Sequence, residues 1–138
     1  MVHPPEEQRV FREWKQQGPT SAAQARAMAE DFMAVVGYGD EKQREAVLLV
    51  VSELVTNALR HGRGVTAFRL SHDTRGLTVS VRDAEDRPPR EQPLDPGRPG
   101  GFGMHLVRSL TGGVEVLRRP GGKSVRATVP RPCVGSRL

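Results

Sequence analysis

The hydrophobic period of this chain changes abruptly after His61. From Asp40 to His61 apolar residues recur at helical spacing, whereas from Val65 onward they alternate with polar ones. Helical segments are thus followed by short alternating strands. They point to helices on one face of a mixed, mostly antiparallel sheet, an α+β two-layer sandwich. With 138 residues the chain has material for one hydrophobic core.

Turn and cap residues divide the chain further. Residues 8–17 combine Val10/Arg12/Trp14 alternation with helix-compatible residues; the window is short for periodicity to decide, and we read it as a first strand. Gly18-Pro19 breaks the chain, and Ser21 with Gln24 three residues later is a capping-box pattern heading a helix to about Val36. Asp40 with Gln43 heads a second, longer helix to about His61, closed by Gly62 and Gly64. Val65 to Ser71 and Leu77 to Arg82 are predicted as a hairpin. Residues 85–100 hold five prolines and no apolar period, and so read as a long loop. A short helix from Gly101 to Leu110 follows, then a second hairpin, Val114–Leu117 with Ser124–Val129, around Pro120-Gly121-Gly122.

The second helix carries the first chemical signal. At about 100° per residue, Val47, Leu48, Val51, Leu54, Val55, Ala58 and Leu59 share one broad arc that should face the core. Glu53, Asn57 and Arg60 fall together on the other side, flanked by Thr56 and His61. A solvated face is one reading. The other is a cleft, because Ala46, Leu49 and Val50 lie on that same side one or two turns earlier and call for cover. A carboxylate and an amide one turn apart suit a metal-assisted phosphate site: the amide oxygen can ligate Mg²⁺ and the carboxylate can take a proton. His61, at the helix end, reads as a dipole-compensating residue rather than a ligand.

Two further features lie downstream. In Leu77-Thr78-Val79-Ser80-Val81-Arg82-Asp83 the alternation buries Leu77, Val79 and Val81, and Asp83 continues their phase. Either the strand reaches Asp83 and turns a carboxylate inward, where it needs a donor such as a ligand amino group, or it stops at Arg82 and Asp83 opens a turn. Gly100-Gly101-Phe102-Gly103-Met104 then precedes a helix, placing glycines where backbone N–H groups are unpaired and suited to phosphate. Neither the dinucleotide fingerprint nor a P-loop is present, since Gly122-Lys123-Ser124 lies in a hairpin and heads no helix.

Composition narrows the function classes. Cys133 is the only cysteine, so neither a disulfide framework nor a cysteine-based zinc site can form within one chain. No apolar run is long enough to span a bilayer, and the N-terminus lacks a signal-peptide layout, so a cytoplasmic location without membrane association is expected. The net charge of +5 raises nucleic acid as a partner, but only 4% of residues are aromatic, leaving little to stack on bases. The charge is also uneven: from Arg108 onward seven basic residues face Glu115 alone, a local +6 that leaves −1 for the rest. That surplus reads first as an aid to holding polyphosphate or an acidic protein.

The order of these features, centred on Ser52-Glu53-Leu54-Val55-Thr56-Asn57-Ala58-Leu59-Arg60-His61-Gly62, resembles the GHKL (Bergerat) ATPase domain shared by gyrase B, histidine kinases and MutL. Within that family it is most similar to the short RsbW-like anti-sigma factors and serine kinases. The resemblance covers about residues 20–130. It implies an N-terminal extension and first strand over 1–19, an ATP-binding domain over 20–130 and a tail over 131–138. It also implies ATP and Mg²⁺ as cofactors, with Glu53 as general base, Asn57 holding Mg²⁺ against the phosphates and Asp83 receiving the adenine amino group. Residues 85–100 would then be an ATP lid, with Gly101, Gly103 and Met104 at its end beside the phosphates.

There are departures from the pattern. The family's Asp-x-Gly-x-Gly box is Asp83-Ala84-Glu85-Asp86-Arg87 here, without either glycine, which bears on ATP affinity more than on fold. The threonine expected in the last hairpin is replaced by Lys123 or Ser124, depending on register, and Ser124 is taken to face the nucleotide. The resemblance further implies a homodimer that sequesters a sigma factor and phosphorylates a serine of a STAS-type antagonist. The alternative is a nucleotide-binding interaction module without phosphotransfer. No helix pair that could carry a phospho-acceptor histidine precedes the domain, and His3 sits in a proline-rich tip, so a histidine kinase core is disfavoured.

Overall fold

The computed structural model describes residues 9–61, 63–85 and 103–131. Along the chain these form β1 (Val10–Lys15), α1 (Ala22–Val36), α2 (Glu41–His61), β2 (Val65–Asp73), β3 (Gly76–Asp83), α3 (Gly103–Thr111), β4 (Glu115–Arg119) and β5 (Gly122–Pro130). The strands make one sheet in the order β1-β2-β3-β5-β4. Each pairing among them is antiparallel, so the expected mixture of directions gives way to a simpler sheet.

Local chemistry sets the helix ends. Ser21 Oγ accepts the Gln24 N–H (3.0 Å) at the head of α1, while Gln24 Oε1 reaches past the cap to accept the Thr20 N–H at 2.7 Å. At its other end the Tyr38 N–H closes onto Met33 O. Asp40 and Gln43 form the reciprocal box at the start of α2: Asp40 Oδ1 accepts the Gln43 N–H (2.9 Å) and Gln43 Oε1 accepts the Asp40 N–H (3.4 Å).

The helices cover one face of the sheet. Strand alternation sends Phe68, Leu70, Val79, Val81, Val125 and Ala127 toward them, where all six are buried. From α2 they meet Val47, Val50, Val51, Leu54, Val55 and Ala58. Each large side chain so buried contributes roughly 1.5–3 kcal/mol. Val50, expected on the polar side of α2, is fully buried, and Ala46 packs on the core, so α2 is enclosed over more than its apolar arc. Leu59, expected in that arc, is instead 37% exposed, one turn from the helix end.

Arg69, Ser80, Arg82, Ser124 and Arg126 take the opposite phase, on a sheet face that carries no helix among the described residues. The edge strand β1 is tied in by Trp14, whose ring stacks on Phe68 with centroids 5.5 Å apart. None of the described helices is long and apolar enough to cross a membrane.

Candidate nucleotide site

The polar side of α2 is partly covered rather than fully solvated. Glu53 and Asn57 are both half-buried, and α3 starts directly against the Glu53 carboxylate: a Cβ placed on Gly103 would fall on Glu53 Oε2. Only glycine leaves room for a carboxylate at that helix start, where unpaired N–H groups and the helix dipole favour negative charge. Burial pushes the Glu53 carboxyl above the usual carboxylate range, and the Arg60 charge offsets only part of that shift. Met104 follows in the first turn of α3, buried beside the core. His61 ends α2 as an exposed residue. Gly101 and residues 86–100 of the expected lid lie outside the described residues.

Asp83 combines both of its sequence readings. The strand extends to it, with the side chain only 1% exposed, and it also begins a turn: Asp83 Oδ1 accepts the Glu85 N–H at 2.8 Å. Its second oxygen is engaged by Lys123, the register alternative to Ser124, in a pairing that the sequence alone did not suggest. Lys123, 2% exposed, donates from Nζ to Asp83 Oδ2 at 2.8 Å and approaches the Glu85 carbonyl at 3.4 Å. The two residues are direct cross-strand partners in the β3–β5 ladder. The strands run so close there that a Cβ on Gly122 would strike the Asp83 carbonyl oxygen.

The expectation for Ser124 is corrected on the same geometry. Val125, Ala127 and Val129 face the helices, and stepping back two residues along β5 reaches Lys123, not Ser124. Ser124 pairs with Arg82 and lies on the uncovered face, where it lines a concavity of about 570 Å³ with Lys15, Arg69, Arg82 and Arg119. The signal that could have found Lys123 was this alternation, read together with the need of an inward Asp83 for a donor.

Residues 16–129 match the histidine kinase-like ATPase domain family. The chain belongs to that family.

Among solved structures, this histidine kinase-like ATPase domain is similar to the crystal structure of the RsbU and RsbW domains of Rv1364c from Mycobacterium tuberculosis. The TM-score is 0.62 at 18% identity, over 89% of this chain and 33% of that one, a likeness of fold. The histidine kinase domain of the blue-light-activated histidine kinase from Erythrobacter litoralis EL346 aligns with a TM-score of 0.48 and 25% identity, over 79% of this chain and 60% of that one. The domain thus spans about a third of the length of the mycobacterial chain. No curated protein matches its sequence.

The fit to a nucleotide differs between the two ends of the site. At the end expected to take phosphate the residue types fit the group: Asn57, one turn from Glu53, carries a hard amide oxygen of the kind Mg²⁺ takes, and Gly103 heads α3 against Glu53. At the base end both Asp83 oxygens already accept hydrogen bonds from the chain itself.

Proposed function

We propose that this domain binds Mg²⁺-ATP between α2 and α3 and transfers the γ-phosphoryl group to a serine of a STAS-type antagonist protein. In this reading it is a cytoplasmic, homodimeric regulator that also sequesters a sigma factor. The observation that carries the catalytic part is the half-buried Glu53 carboxylate, raised in basicity by burial and packed on Gly103 at the start of α3. The partners rest on the resemblance to RsbW-like proteins.

The chain's own groups have defined tasks. Asn57 Oδ1 would hold Mg²⁺, which supplies charge neutralisation to the phosphate oxygens when bound. Backbone N–H groups at the start of α3 would hold phosphate oxygens. Glu53 would accept the proton of the attacking seryl hydroxyl as the new O–P bond forms; the bond to the β-phosphate breaks and ADP leaves with its electron pair. Such transfer is mostly a matter of positioning and charge, which a small polar set can supply.

The test is incubation of the full chain with Mg²⁺-ATP and a STAS-type antagonist, with phosphoserine read by mass spectrometry. E53Q should lower the transfer rate about 10²-fold or more while ATP still binds. Transfer unaffected by E53Q would remove Glu53 from its role. A second reading, a nucleotide-binding module without transfer, is favoured by the engagement of Asp83 with Lys123, and binding without any phosphoserine would select it.

A further inference from the structure

We propose that Lys123 takes Asp83 away from the base, so that the site holds nucleoside triphosphates through their phosphates and does not distinguish adenine from guanine. This rests on the reading of the α2–α3 cleft as a nucleotide site and adds its specificity. A carboxylate facing position 6 of a purine selects adenine, whose 6-amino group donates to it, over guanine, which has a carbonyl oxygen there. Asp83 Oδ2 instead accepts from Lys123 Nζ at 2.8 Å, and Oδ1 from the Glu85 N–H at 2.8 Å.

The arrangement is not a surface ion pair that a ligand could displace cheaply. Both side chains are almost wholly buried, and they are cross-strand neighbours at a tight point of the ladder, where Gly122 leaves no room for a Cβ beside the Asp83 carbonyl. An amino group that replaced the ammonium at Oδ2 would leave Lys123 charged and unpartnered inside the protein, a strongly unfavourable exchange. The turn adds to the closure. Position 85 is Glu rather than glycine; its N–H caps Asp83, its carbonyl lies 3.4 Å from Lys123 Nζ and its carboxylate lies 3.9 Å from Arg63 Nε. At the end expected to take phosphate, Gly103 gives the start of α3 no side chain of its own.

The experiment is calorimetric titration of the full-length wild type, and of K123T, with Mg²⁺-ATP and Mg²⁺-GTP. Wild type should bind the two with dissociation constants within about threefold of each other, because a base that makes no paired contact adds little discrimination. K123T frees Asp83 for a ligand donor and should favour ATP by about tenfold or more. Binding of ATP by K123T alone would overturn the proposal, because the wild-type site would then not hold a triphosphate through its phosphates. A wild type that prefers ATP by about tenfold or more would overturn it while leaving the nucleotide site intact. Failure of both proteins to bind either nucleotide would instead overturn the nucleotide site itself, and this inference with it. Should K123T not fold, the wild-type ratio alone decides.

Discussion

Gly103 lies so close to Glu53 that a Cβ at position 103 would fall on the Glu53 carboxylate as it stands. Fifty residues separate them in sequence, yet their contact joins the middle of α2 to the first turn of α3. It gives a half-buried carboxylate the helix end best suited to receive it.

Substitution G103A follows from that contact. The colliding partner is the far end of a flexible side chain, so Glu53 can swing aside, and alanine is the better helix former. Stability should change by less than about 1 kcal/mol in urea denaturation, whereas phosphoserine formation should fall about tenfold or more through misplacement of the carboxylate. A large loss of stability with retained transfer would show that the contact has no part in the chemistry.

Glu53 also carries a pH signature. Burial raises its carboxyl above the ordinary value of 4.5. The folded state therefore holds the proton more tightly than the unfolded chain, and stability declines as pH rises from that value through the raised one. E53Q should remove this decline and be as stable as wild type or more so at neutral pH. Denaturant midpoints from pH 4 to pH 8 for both proteins provide the check.

For the buried pair, removing one partner should cost far more than removing both. D83A or K123A strands a buried charge, at about 3–5 kcal/mol each by chemical denaturation. The double substitution D83L/K123M, with apolar side chains in both places, should recover most of that loss. A double-variant cost equal to the sum of the two single costs would mean that the two groups act independently.

His72 supplies the acid response. Its ring lies edge-on to Tyr38 at 5.2 Å, and burial holds its pKa below 6.5, as does the Arg131 charge, while Asp73 opposes the shift. The folded state keeps the ring neutral as the unfolded chain begins to bind a proton, so stability should drop as pH falls through 6.5 toward the lowered value. Thermal melts between pH 7.5 and 5 should show that slope, and H72N should flatten it.

Much of this architecture could be read from the residues themselves. The caps at Ser21 and Asp40 and the alternation through Val79 and Val81 lie within local windows, where hydrogen-bond chemistry and period act directly. Leu59 was misplaced because a helical wheel carries no information on where the sheet beneath α2 ends. Lys123 ranks behind Ser124 in the sequence because a charge in a core phase runs against its transfer energy unless a partner is known, and that partner lies 40 residues away. The contact of Glu53 with Gly103 depends on the approach of two helices, which neither segment encodes alone.

The β3–β5 ladder makes one acid and one base answer for each other. A lineage that exchanged Lys123 for a small polar residue would inherit a buried Asp83 with nothing to neutralise it, and one that lost Asp83 first would inherit a stranded ammonium. Any route from this sheet end to one without the pair must cross a poorly folding intermediate, unless a bound ligand supplies the missing partner. A change at position 83 or 123 is therefore tolerated best when the other changes with it.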